Sequence, residues 1–173
     1  MHPSKWVERF SEEIPAGGSV LDVACGSGRH TRWFIERGHH VVAVDRELSG
    51  VSDLADDPRV DLVAADLETG APFPLAGREF AAVVVTNYLW RPLLDDLADA
   101  VEPDGWMLYE TFAAGNERFG RPANPEFLLR PGELLELARA HGLRVVAYED
   151  LVVDEPRPAA VQRVAAVRPR DRA

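Results

Sequence analysis

A chain of 173 residues, 46% hydrophobic and 28% charged, carries enough apolar material for one fully cored domain with the balance of an ordinary soluble protein. Its formal net charge of −10, with 19 basic residues scattered among 29 acids, makes a nucleic-acid partner unlikely, because each phosphate contact asks for a cation. Its single cysteine, Cys25, excludes an internal disulfide and fits a reducing compartment.

No apolar run reaches the ~18 residues of a membrane span, and the opening "MHPSKWVERF" lacks the apolar core of a signal peptide. The expectation is a cytoplasmic, single-domain protein over residues 1–173. An opening helix at about 3–13 would bury Trp6 and Phe10, which lie four apart. Short β-branched runs follow at 19–24, 40–44, 60–65, 80–86 and 106–112. Near-continuous Val and Ala, as in "AAVVVT", mark strands buried on both faces of a parallel sheet.

Helical stretches lie between some of these runs. "GRHTRWFIERG" closes on Gly38. "PLLDDLADAV" opens on Pro92 and places Leu93, Leu94, Leu97, Ala98 and Val101 on one face, and "PGELLELARAHG" repeats that design up to Gly142. The connection 67–79 is too rich in Gly and Pro for a helix. Residues 113–130 form a long connection of the kind that compact domains keep as lids, with Phe119, Phe127, Arg118 and Arg121 as candidate substrate contacts. Two late runs, 143–153 and 159–167, are joined by a link too short for a crossover helix, so they pair antiparallel. The sum is an α/β protein with a mostly parallel seven-stranded sheet, one reversed C-terminal strand at its end and helices on both faces. Ligands in such sheets bind beyond the carboxyl ends of the strands.

That edge carries the chemistry. In "VLDVACGSGRHT" an apolar run ends in a glycine turn, with Gly26 and Gly28 free to let a ligand approach the backbone. Asp45 follows 19 residues after Gly26, a spacing shared with the ribose-binding acid of dinucleotide folds, so it does not discriminate. Asp22 does. Beside a pyrophosphate it would repel, and beside an ammonium group it would attract. Asp66 closes the next run, "VDLVAAD", and puts a third carboxylate at the same edge. S-adenosylmethionine has an ammonium, a sulfonium and no phosphate. Asp22 would face its ammonium, Asp45 its ribose hydroxyls and Asp66 its adenine amino group, with Arg46 against the adenine face. A strand-terminal Asp is also a common helix cap or turn former, which is the plainer reading of each.

"VLDVACGSGRHT", "VVAVDRE" and "VAADLETGAPFP" resemble the successive motifs of class I S-adenosylmethionine-dependent methyltransferases, and "ACGSGRH" is similar to the turn of the small tellurite-resistance-type members. The resemblance runs from about Trp6 to Val167 and implies a Rossmann-like fold and S-adenosyl-L-methionine as cofactor. It places Asp22, Ala24, Gly26, Gly28, Arg29, His30, Asp45, Arg46, Asp66, Leu67 and Asn87 around that cofactor, with Arg29 at the methionine carboxylate. Ala24 stands where many members have a glycine.

On the acceptor side, "TNYLWRP" lacks the Asn/Asp-Pro-Pro-Tyr signature of amino-group methyltransferases. Asn87, Tyr88 and Glu110 are the candidate catalytic residues, and Tyr88, Trp90 and Arg91 candidate walls of a pocket for a small-molecule acceptor. Methyl transfer needs a base only when the nucleophile must lose a proton. No His, Cys and Asp cluster has metal-ligand spacing. Two alternatives remain: a nicotinamide-dependent oxidoreductase, which leaves Asp22 and Asp66 unused, and a non-catalytic cofactor-binding module.

Overall fold

The computed structural model describes residues 2–171. Among them seven strands form one sheet: β1 Val20–Val23, β2 Val41–Asp45, β3 Val60–Ala64, β4 Phe80–Thr86, β5 Val101–Phe112, β6 Arg144–Val153 and β7 Ala159–Val167. Their order is β3-β2-β1-β4-β5-β7-β6. The sheet is parallel from β3 to β5, and β7 runs antiparallel to both β5 and β6. The four helices are α1 Lys5–Ser11, α2 Arg29–Glu36, α3 Leu94–Asp99 and α4 Glu133–Ala140.

The reversed strand does not lie at the sheet's end. β7 is wedged between β5 and β6, and β6 takes the edge. Burial explains the choice: β7 is mostly small apolar residues around Gln162 and Arg163 and is covered almost throughout, while β6 is mostly exposed. Val146 is an extra residue in β6, between Val145 opposite Ala166 and Ala147 opposite Ala165, so the edge strand carries a bulge. Val101 also departs from expectation. It opens β5 opposite Phe80 instead of closing a helix.

Helices cover both faces of the sheet, as the alternating pattern predicts. One face packs Trp6, Phe10, Phe34, Ile35 and the 3-10 turn Ser49–Leu54; the other packs α3, α4, Phe73 and Leu75. Full burial of a side chain such as Phe34 contributes ~1.5–3 kcal/mol. α1 is shorter than expected because Ser4 caps it, its Oγ accepting from the N–H groups of Trp6 at 3.1 Å and Val7 at 3.4 Å. Residues 113–130, expected as a lid, form an ordered connection with two short 3-10 turns. Ala113 and Leu129 bridge its ends, and buried Asn116 accepts from the Ala160 N–H of β7 at 3.1 Å while donating to the Pro122 carbonyl at 2.9 Å. Among the described residues no helix is long and apolar enough to cross a membrane.

Candidate functional site

The carboxyl ends of β1 to β4 open on a cleft of about 350 Å³ lined by Ala24, Asp45, Arg46, Ala65, Asp66, Leu67, Glu68, Tyr88 and Phe127. Seven of these were expected from the sequence. The cleft lies where adjacent strands β1 and β4 each hand over to a left-handed residue, Ala24 at φ 52° and Asn87 at φ 54°. Such a conformation costs an L side chain ~1–2 kcal/mol, and asparagine bears it more easily than alanine. At the mouth of α2, Gly28 has φ 73°, and a Cβ there would sit 2.4 Å from Cγ1 of Val51. Only glycine fits that turn.

The three carboxylates do share one edge, at different depths. Asp22 is 2% exposed. Its Oδ2 accepts from the backbone N–H of Thr31 at 2.9 Å and the Thr31 hydroxyl at 2.7 Å, tying β1 to the first turn of α2. Burial pushes its carboxyl up to about 6, with the Thr31 bonds and the Arg29 charge opposing. Asp45 accepts from the Gly26 N–H at 2.9 Å and the Glu47 N–H at 3.0 Å, and so shapes the glycine turn from the end of β2. Asp66 accepts from the Glu68 N–H at 3.0 Å. The plainer reading of a strand-terminal Asp, as cap or turn former, therefore describes bonds that all three make, while Asp45 and Asp66 also wall the cleft.

Among the described residues, two buried side-chain polar atoms have no hydrogen-bond partner, the Trp33 indole nitrogen and, at the cleft, the Tyr88 hydroxyl. Burial, then the charges of Glu68 and Asp66, raise its pKa, so it stays a neutral donor. The buried Tyr109 hydroxyl donates to the Tyr88 carbonyl at 2.8 Å, and the Asn87 N–H donates to the Glu110 carbonyl at 2.9 Å; together they fix the backbone after β4.

Glu110 lies elsewhere. Its Oε1 accepts from Ser4 Oγ at 2.6 Å and so anchors the start of α1, its Oε2 accepts from Arg163 of β7 at 2.8 Å, and the residue does not line the cleft. His30 belongs to the same anchor: Nε2 accepts from the Ser4 N–H at 3.0 Å. Burial and then Arg29 lower its pKa to about 3, which keeps the ring a neutral acceptor. Arg29 opens α2, Gly26 is exposed in the turn, and neither is a cleft wall. Cys25 is buried, its thiol pushed up to about 12 chiefly by burial, and serves packing. Arg91, expected in an acceptor pocket, instead grips the lid. It donates to both oxygens of Glu133 and to the carbonyls of Glu126 and Leu128, at 2.7–3.0 Å. Glu68, next to the expected Leu67, and Ala65 are cleft residues the sequence reading missed.

The cleft sets Asp45, Asp66 and Glu68 against a single cation among its walls, Arg46. That donor set repels a pyrophosphate and suits a nucleoside bearing positive charge, with the Tyr88 hydroxyl awaiting an acceptor. Among the described residues no group of three or more His, Cys, Asp and Glu side chains could hold a metal ion.

Residues 2–148 match a methyltransferase domain family. The chain is 27% identical over 156 residues to the 18S rRNA (guanine-N(7))-methyltransferase bud23 of Schizosaccharomyces pombe, covering 86% of this chain and 56% of that protein, so it spans little more than half of that relative. A crystal structure of Burkholderia thailandensis 1,6-didemethyltoxoflavin-N1-methyltransferase with bound 1,6-didemethyltoxoflavin and S-adenosylhomocysteine superposes with a TM-score of 0.71 at 23% identity, over 95% of this chain and 77% of that one. TehB from Haemophilus influenzae gives 0.74 at 16% identity, over 95% and 61%. The chain belongs to the methyltransferase domain family, and its fold is that of the methyltransferases it superposes on.

Proposed function

We propose that this protein is a cytoplasmic, single-domain enzyme that methylates a small molecule. Asp45 and Asp66 hold the nucleoside of S-adenosylmethionine, Arg46 and Leu67 flank it, and the backbone of Ala24, Gly26 and Gly28 passes close to it. Asp22 on β1 and Arg29 at the opening of α2 take the methionine end, and His30 supports that turn through its ring's bond to Ser4. The cofactor brings a methyl group already on a good leaving group. The protein's own task is then to align an acceptor and exclude water. Asn87 and Tyr88, held by Glu110 and Tyr109, border that position, and Glu110 acts by holding this segment and α1.

The observation that carries this reading is the acidic cleft with its unpartnered Tyr88 hydroxyl. Calorimetric titration with S-adenosylmethionine, S-adenosylhomocysteine and nicotinamide dinucleotides tests it. Micromolar binding of the first two alone is expected, and binding of a dinucleotide instead rejects it. Asp45→Ala should weaken S-adenosylhomocysteine binding about tenfold or more, since it removes charge-assisted hydrogen bonds. A nucleobase in RNA is the second reading, favoured by the likeness to an rRNA methyltransferase and opposed by the net charge of −10. Salt-sensitive binding of RNA would promote it.

A further inference from the structure

Phe127 is an exposed aromatic ring on the lid, 43% accessible, yet it lines the same cleft as Asp66, Leu67 and Tyr88. A single exposed apolar side chain is ordinary on a protein surface; Phe127 differs from the others in facing the cleft. Its position is held with unusual care. One guanidinium, that of Arg91, donates to the carbonyls on either side of it, Glu126 and Leu128, each at 2.8 Å. The same group is fixed by two bonds to Glu133, at 2.7 and 3.0 Å. Glu133 is 5% exposed at the start of α4 and also accepts from the Arg130 N–H at 2.7 Å. Gln162, fully buried in β7, secures the same corner by accepting from Leu134 N–H at 2.8 Å and donating to the Arg130 carbonyl at 2.9 Å. The lid is thus braced at residues 126, 128, 130 and 133, around Phe127.

We infer that Phe127 is the aromatic roof of the nucleoside end of the cleft, and that Arg91 is a positioning residue acting through it. This rests on the assignment of Asp45 and Asp66 to the cofactor's nucleoside. A base laid against an aromatic ring gains stacking energy that an aliphatic side chain does not supply. An arginine suits the strut because its planar fork reaches two carbonyls and a carboxylate at once. A lysine keeps the charge near Glu133 and cannot span all three.

The test is calorimetry with S-adenosylhomocysteine and with adenosine, on the wild type, Phe127→Ala, Phe127→Tyr, Arg91→Lys and the Arg91→Lys/Phe127→Ala double variant. Phe127→Ala should weaken both ligands about tenfold, with the melting temperature nearly unchanged because the ring is exposed. Phe127→Tyr should restore binding to within about threefold of wild type. Arg91→Lys should weaken binding in the wild-type background and add nothing once Phe127 is gone, the non-additivity expected of one residue acting through another. Equal affinity of wild type and Phe127→Ala overturns the roof. Additive losses overturn the role of Arg91 as its strut. A wild type that binds neither ligand overturns the cofactor assignment itself.

Discussion

The two walls of the cleft are built by different means. From Ala24 to Tyr88, every wall residue lies within four positions of the carboxyl end of a strand, so strand order alone brings them together. Phe127 reaches the same cleft from a lid whose side-chain ties to Arg91 and β7 join residues 32 to 44 apart in sequence. The first wall is a by-product of the parallel sheet. The second depends on polar bonds that must each be made, and its failure would leave the sheet standing.

The largest expected effect breaks the first wall. Gly28→Ala places a Cβ against Val51 at 2.4 Å and a side chain at φ 73°, and should cost about 3 kcal/mol in denaturant unfolding. The Phe127 variants above should leave unfolding nearly unchanged, because that ring is exposed, while altering ligand affinity, which sharpens the contrast.

Asp22→Asn probes how far the strand-end wall gives up stability for binding. The Asp22 carboxyl rises from its ordinary 3.8 to about 6 on folding. The folded state therefore holds its proton more tightly, and the stability that Asp22 lends in acid is lost as pH rises through about 6. At pH 8 the neutral amide should make the protein more stable than wild type, by up to ~3 kcal/mol. The gap should close below about pH 4, where both states of the wild type are protonated. If Asp22 meets the cofactor's ammonium, the same variant should bind S-adenosylhomocysteine more weakly. Equal stability at pH 8 would reject the buried charge.

The smallest effect lies away from both walls and serves as a control. His141, after α4, bonds Asp99 through Nδ1 and Asp95 through Nε2, each at 2.8 Å. Burial opposes its charge, but the two aspartates outweigh it and raise its pKa. Its contribution is therefore complete below the ordinary histidine value and fades as pH climbs through the raised one. His141→Ala should cost under ~1 kcal/mol at pH 6 and less at pH 9, with ligand affinity untouched.

These differences decide what the sequence could reveal. Strands read well because "VVAVD" and "FAAVVVT" are near-continuous β-branched or small apolar runs buried on both faces, and "VLDV" is interrupted only by the buried Asp22. The carboxylates at their ends followed from position alone. The place of β7 between β5 and β6 did not, since any short hairpin link allows either strand to be inner, and only their relative burial chooses. Val101 misled because a strand residue happened to continue a helical spacing. Glu110 and Arg91 were expected at an acceptor, whereas their partners Ser4, Arg163 and Glu133 lie 106, 53 and 42 residues away and leave no local pattern. Spacing finds what the sheet arranges, and misses what side chains tie across it.

The bulge at Val146 bears on a different hazard. β6 is the open edge of the sheet and carries Val145, Val146, Leu151 and Val152, each more than a third exposed. A flat apolar edge of that length is a template on which another chain can add a strand and begin to aggregate. The extra residue breaks the even spacing of backbone donors and acceptors and twists the strand near its start. One inserted valine thus guards the chain's solubility at the edge where its sheet stops.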